Sequence, residues 1–378
     1  MPTTLTARRL YNSQGSLDYP VVAIDDAGFI TSIDSDPSLK SEDILTSTFL
    51  DIHTHGAVGH DVMRASAADF DAINRFLGNK GVGHYLPTTV TAPIDQTLRS
   101  LEALANAIEL HTASNEARPI GIHLEGPFIS HAKRGVHPPA DILPPDIGLF
   151  DRFQQAARGH IRLITIAPEI PGALALIEHA ASLGIRVSIG HTNATSEGAL
   201  AAIEAGATSA THTFNAMRPL DHRDPGVIAT VLDEDRLFAE LICDGIHVAP
   251  EMIRLWLKAK GADKAILVTD SMSAAGMPDG SYTLGTFQVE VANGRALSNG
   301  SLAGSVLTMD RAVANLQRFT GSVLGMAVRL ASHNPAKLLG LEGSIGNPAS
   351  GQPANFNVFN GSGNLQSTLL NGVKIKKT

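Results

Sequence analysis

The run Asp51-Ile52-His53-Thr54-His55-Gly56 puts two imidazoles two positions apart, after the short, mostly apolar and β-branched run Ile44 to Leu50. If Thr48 to Ile52 is extended, the period-two geometry of a strand turns His53 and His55 to the same side. Two neutral imidazoles so placed are half of a divalent-metal site. Taken alone, a histidine pair of this spacing reads more readily as part of a polar loop, so a metal site requires the remaining ligands from elsewhere in the chain. Similar settings recur. His123-Leu124-Glu125-Gly126-Pro127, Gly190-His191-Thr192-Asn193, Thr211-His212-Thr213, Cys243-Asp244-Gly245-Ile246-His247 and Thr269-Asp270-Ser271 each close a short apolar run. Two histidines and a carboxylate with one open coordination position hold a catalytic divalent ion. Such an ion lowers the pKa of bound water to about 7. A neighbouring carboxylate, Asp270, can take a proton from that water and later hand it to a leaving group. The chemistry is metal-assisted hydrolysis of a carbonyl or similar centre, and it needs no nucleophilic side chain. Zn, Fe, Mn and Co suit these N/O ligands alike.

A rigid scaffold must bring these residues together. From about residue 48, short apolar runs alternate with segments of helical period. The runs are Phe49–His53, Gly83–Pro87, Ile120–Leu124, Ile161–Ala167, Ile185–Ile189, Ser209–His212, Phe238–Cys243 and Ala265–Val268. The helical segments include Ala67–Leu77, Ile94–Leu110, Ile147–Ala157, Ala173–Leu183, Ser196–Ala205, Pro250–Lys260 and Leu307–Phe319. The link after the sixth run is broken by Pro219 and Asp224-Pro225-Gly226. This alternation predicts an α/β fold, a (β/α)8 TIM-like barrel over 49–336, whose strand C-termini share one face. A doubly wound open sheet would need a Gly-rich phosphate turn after its first strand, and none is present. Residues 1–48 and 337–378 read as short strands between turn signals and predict a small β-sandwich formed by the two chain ends. Thr283–Val291, Asn293-Gly294 and Arg295–Leu297 predict a β-hairpin inserted near 279–299.

Composition narrows the function classes. The 378 residues are 43% hydrophobic and 17% charged, which fits a globular protein with a sizeable core. A net charge of −8 without a dense Lys/Arg run argues against nucleic acid as a partner. Lys374, Lys376 and Lys377 read as a solvated tail. Cys243 is the single cysteine, expected to be buried, and excludes an intrachain disulfide. Met1 to Tyr11 lacks the apolar core of a secretion signal, and no run approaches the roughly 20 apolar residues of a membrane span. A cytoplasmic location without a membrane partner is expected. His123 reads as a packed histidine beside the site. His60, His84, His111, His160, His179, His222 and His333 read as surface or structural residues.

With these motifs together, the chain resembles the N-acetylglucosamine-6-phosphate deacetylase family of the amidohydrolase superfamily. The resemblance rests on His123 to Phe128, Lys133 to His137, Gly190 to Thr192, Thr211 to Met217, Arg223 to Gly226, Asp244 to His247, Thr269 to Met272, Leu302 to Ser305 and His333 to Ala336. It implies hydrolysis of the acetamide of an amino-sugar 6-phosphate, with N-acetylgalactosamine 6-phosphate as the alternative epimer. It implies that Glu125, His191 and His212 hold the principal metal and that Asp270 is the general acid/base. His137 would polarise the acetamide carbonyl. Val136, Asn215, Ala216 and His247 would contact the sugar phosphate, and Leu302 would line the acetyl pocket. Arg223 would reach the phosphate in the neighbouring subunit of a homodimer. His53 and His55, with Glu125 bridging, would hold a second ion, giving one or two per subunit. Two residues depart from the family pattern: Ser271 after Asp270, and Asn355 in the β domain where Asp is usual.

Overall fold

The computed structural model describes residues 3–13 and 15–375; Lys376 and Lys377 lie outside them. Eight parallel strands form the barrel in chain order: Phe49–Thr54, Val82–Thr89, Ile122–Glu125, Ile161–Ile166, Arg186–Ile189, Ala207–Ala210, Phe238–Ile242 and Ala265–Val268. They are called barrel strands one to eight below. A helix follows each strand: Ala67–Asn79, Ile94–Glu109, Ile147–Ala156, Ala173–Ser182, Ser196–Glu204, Gly226–Asp233, Pro250–Lys264 and Met309–Thr320. Local chemistry starts several of them. Ser66 and Asp69 form a reciprocal capping box on the first helix. Asp146 accepts from Leu149 N at 2.6 Å and Thr195 Oγ1 accepts from Gly198 N at 3.2 Å.

The seam between strands eight and one matters most for the site. Asp270 N donates to the His53 carbonyl at 2.9 Å and His55 N donates to the Ser271 carbonyl at 2.7 Å. Beneath them, Thr269 Oγ1 donates to the buried Asp51 carboxylate at 2.6 Å. The histidine pair and Asp270 are therefore zipped to one another by main chain.

The chain ends pair with each other. Ile44–Ser47 lies between Arg9–Asn12, which is parallel to it, and Phe356–Phe359, which is antiparallel, in a six-stranded sheet. A three-stranded sheet of Thr3–Thr6, Pro20–Ile24 and Ile30–Ser35 packs on it through Leu10, Val22, Ile24, Ile30, Leu45 and Phe356.

Three details differ from the expectations. The irregular link after strand six contains a helix, Gly226–Asp233, with Pro225 just outside its first turn, where a missing N–H does no harm. Helical residues reach Lys264, beyond the expected Lys260, but the helix is broken at Gly261, whose φ of 67° is not helical. The inserted hairpin is a four-stranded antiparallel sheet: Gly280–Leu284, Phe287–Ala292, Arg295–Ser298 and Ser301–Leu302. The expected single strand Thr283–Val291 is broken at Gly285, where φ is 57° and the N–H donates to Asp61 at 2.5 Å.

Phe356 is fully buried between the two sheets of the sandwich. Phe356→Ala should lower stability by about 3–5 kcal/mol in urea unfolding. A loss below about 1 kcal/mol would show that the sandwich core does not depend on it.

Candidate active site

Barrel strands one, three, five, six and eight end by turning polar side chains into the mouth. Three of these turns use backbone that L-residues rarely adopt: His191, His212 and Asp270 have φ of 46°, 28° and 48°. Left-handed positions of this kind cost of order 1–3 kcal/mol each and persist where surrounding structure enforces them. They aim three polar side chains at one point.

That point is crowded with acceptor atoms. His53 Nε2 and His55 Nε2 are 3.3 Å apart. His55 Nε2 lies 3.0 Å from Asp270 Oδ1 and 3.4 Å from Glu125 Oε2. His53 Nε2 lies 3.5 Å from both Glu125 Oε1 and Asp270 Oδ1. On the other side, His191 Nε2 and His212 Nε2 are 3.1 Å apart, and each is 3.2 Å from Glu125 Oε1. Two three-residue groups result, His53, His55 and Asp270 in one and Glu125, His191 and His212 in the other, with all six residues buried.

The tautomers follow from the partners of the far nitrogens. His55 Nδ1 faces the Thr88 carbonyl at 3.0 Å and His191 Nδ1 faces the Lys133 carbonyl at 3.0 Å. A carbonyl only accepts, so both Nδ1 atoms carry the proton and both Nε2 atoms present lone pairs. His53 Nδ1 faces the Glu240 carboxylate at 3.3 Å, with the same result. The His53–His55 contact is thus lone pair against lone pair, beside two carboxylates. His212 adds a buried Nδ1 without a partner among the described residues. Facing acceptors at these separations fit a cation between them. The donor set, imidazole nitrogen and carboxylate oxygen, is that of a divalent metal centre.

His137 has the opposite tautomer. Its Nδ1 accepts from Thr91 N at 3.2 Å, so the proton is on Nε2, which points into the mouth 3.8 Å from Glu125 Oε2. Burial, reinforced by the neighbouring His191, lowers its pKa to about 3, so it is a neutral donor. Burial opposes charge on Asp270, but the electrostatic pull of the neighbouring His53 and His55 outweighs it and holds the carboxyl well below its usual range. Asp270 is thus ionised and able to accept a proton. His247 Nδ1 lies 2.6 Å from Asp244; burial opposes its charge, yet that carboxylate raises its pKa.

The mouth is a cavity of about 190 Å³. His55, Glu125, Val136, His137, His191, His212, Asn215, Ala216, His247, Asp270 and Leu302 line it. His53 lies just behind, fully buried. Arg223 is not brought there: within one chain it sits on an exposed loop, its N–H donating to Asp221 at 2.8 Å. His123 is a buried neighbour, its ring 4.6 Å from that of His53 and its Nε2 2.8 Å from Thr165 Oγ1. Ser271 turns away from the reacting groups, to Thr54 Oγ1 at 2.8 Å, and Asn355 accepts from Asn371 N at 2.8 Å. Cys243 is buried, which pushes its thiol pKa up. Sequence reasoning missed Thr91, Glu240, Val90 and Leu284. Of these, only Glu240 left a signal, a carboxylate inside the apolar run Phe238-Ala239-Glu240-Leu241-Ile242.

Residues 44–375 match the model of the amidohydrolase family. The chain belongs to that family. It is a hydrolase acting on amide bonds. It is 35% identical over 376 residues to N-acetylgalactosamine-6-phosphate deacetylase of Escherichia coli O157:H7, covering 98% of this chain and 99% of that protein. It is 40% identical over 294 residues to N-acetylglucosamine-6-phosphate deacetylase of Lysinibacillus sphaericus, covering 78% and 76%. Its fold superposes with a TM-score of 0.93 on a mutant N-acetyl-D-glucosamine-6-phosphate deacetylase of Mycobacterium smegmatis in complex with N-acetyl-D-glucosamine-6-phosphate, at 31% identity and full coverage of both chains.

Glu125 touches both groups of ligand atoms. Glu125→Gln should therefore abolish tight binding of every ion counted by plasma mass spectrometry after dialysis. His55→Asn should leave the His191–His212 position filled. Full metal content in Glu125→Gln would rule out a shared carboxylate.

Proposed function

We propose that this amidohydrolase removes the acetyl group of N-acetylglucosamine 6-phosphate, releasing acetate and glucosamine 6-phosphate. The observation that supports it best is the pairing of opposites in one mouth. Converging lone pairs on Glu125, His191, His212, His53 and His55 face an ionised Asp270 and a neutral N–H donor on His137. Glu125, His191 and His212 would hold the principal divalent ion, and His53 and His55, with Glu125 between, a second. When bound there, such an ion activates water for attack and polarises the amide carbonyl.

The chain's own residues do the rest. Asp270 accepts the proton of the attacking water and returns it to the departing amine nitrogen. The Nε2–H of His137 donates to the carbonyl oxygen as negative charge builds on it. Val136, Asn215, Ala216 and His247 hold the sugar phosphate, and Leu302 meets the acetyl methyl. The galactosamine epimer is a second reading, favoured by the full-length similarity to the Escherichia coli enzyme.

Deacetylation rates on the two epimeric sugar phosphates, with and without chelator, test the proposal. A chelator-sensitive preference for the gluco epimer is expected, and inactivity on both would refute it. Asp270→Asn should lower kcat by about 10²–10⁴ while the ion held by Glu125, His191 and His212 stays bound. Near-normal turnover would remove Asp270 from proton transfer.

The same reading makes the enzyme a cytoplasmic homodimer in which Arg223 completes the partner's phosphate site, since paired guanidinium donors match phosphate oxygens. No helix among the described residues is long and apolar enough to cross a membrane. Mixing inactive Arg223→Ala chains with inactive Asp270→Asn chains should restore activity, because one mixed site has both residues intact. No recovery from mixed dimers would place Arg223 outside the partner's site.

A further inference from the structure

Glu240 is a buried carboxylate facing the candidate ligands that the proposed chemistry leaves idle. It lies in the middle of strand seven and is 0% exposed. Leaving an ionisable group there is unfavourable unless it is hydrogen-bonded. Its Oε2 faces His53 Nδ1 at 3.3 Å and accepts from the main-chain N–H of His212 at 3.3 Å. Its own carbonyl accepts from Thr213 N at 2.8 Å. Strand seven does not pair with strand one, because strand eight lies between them. Glu240 therefore reaches His53 through the barrel interior, across one strand.

We propose that Glu240 is a positioning residue that fixes His53 as the Nδ1–H tautomer and so keeps its Nε2 lone pair aimed at the cation position shared with His55 and Asp270. Three facts support this. First, the other two nitrogens that set ligand tautomers, Nδ1 of His55 and of His191, face main-chain carbonyls, so His53 alone depends on a side chain. Second, His53 is fully buried and has no solvent to supply a substitute acceptor. Third, the same Glu240 oxygen ties down the backbone of His212 at a φ of 28°, so one carboxylate sets a ligand in each group. A ligand imidazole whose outer N–H loses its acceptor typically binds metal 10–100-fold more weakly.

Glu240 has a metal-related task only if His53 is a ligand, as proposed above. The test therefore includes a readout on metal-free protein. In chelated enzyme labelled with 15N-histidine and titrated until the His53 ring is neutral, its signals, identified by their loss in His53→Asn, should show a protonated Nδ1 and a bare Nε2. Glu240→Leu should mix the two tautomers, and Glu240→Gln, whose amide oxygen can still accept, should preserve the Nδ1–H form. In loaded enzyme, chelator should strip one ion about 10–100-fold faster from Glu240→Leu, with the other ion released as in wild type. If Glu240→Leu does not fold, Glu240→Gln decides the matter, since its weaker acceptor should speed release of that ion by about threefold or more. An unchanged tautomer in Glu240→Leu, or wild-type release from Glu240→Gln where it is the only folded variant, overturns the proposal. Wild-type protein that takes up one ion even in excess metal defeats the two-ion reading instead, and Glu240 is then judged on the tautomer alone.

Discussion

The Glu125 carboxylate is 3% exposed and lies within 4 Å of five imidazoles, those of His53, His55, His137, His191 and His212. A buried charge costs several kcal/mol unless it is matched, and lone pairs packed at about 3 Å repel unless something positive lies between them. The mouth of the barrel therefore has an electrostatic demand built into its side-chain geometry. Burial works against protonating His53, yet Glu125 and Asp270 hold its pKa well above the usual histidine value. The same atoms are satisfied by a divalent ion without any proton. The tautomers separate the two kinds of histidine: in the ligand candidates His53, His55 and His191 the outer nitrogen carries a proton toward an acceptor, and in His137 the inner one does.

The fold meets that demand mainly through main chain. The seam between strands one and eight fixes the histidine pair against Asp270 through two backbone hydrogen bonds. Carbonyls of Thr88 and Lys133 orient two imidazoles. Thr91 orients His137, and it can approach because position 126 is Gly: a Cβ there would lie 2.2 Å from Thr91 Oγ1. Left-handed turns at His191, His212 and Asp270 are tolerable because each is held by neighbouring strands.

Much of this was legible in the sequence because strands place chemistry at their ends. The eight apolar runs correspond to the eight barrel strands within a few residues, and the alternation with helices implied the architecture. The hydrogen-bonding partners were not legible. A main-chain carbonyl has no sequence signature, and Glu240 looks like a stray polar residue until barrel closure brings strand seven within one strand of strand one. Short helices such as Leu324–Ala331 and Gly226–Asp233 were hidden because flanking Pro and Gly residues dominate a local reading. Position 223 shows the opposite limit. The motif around Arg223 is specific, but in a single chain its side chain is on an exposed loop, and only a second subunit could give it a role.

The pairing of the two chain ends bears on synthesis as well as on the finished molecule. Ile44–Ser47 is buried and pairs with Phe356–Phe359, a strand roughly 300 residues later. At roughly 5–20 residues per second, that partner emerges from the ribosome roughly 15–60 s afterwards. During that interval the apolar edge Ile44-Leu45-Thr46-Ser47 has no neighbour on one side, directly upstream of the strand that carries the histidine pair. Unpaired edges of this kind invite intermolecular pairing. The terminal sandwich therefore makes the nascent chain most vulnerable to aggregation while the barrel is being completed, and ties its first strands to its last.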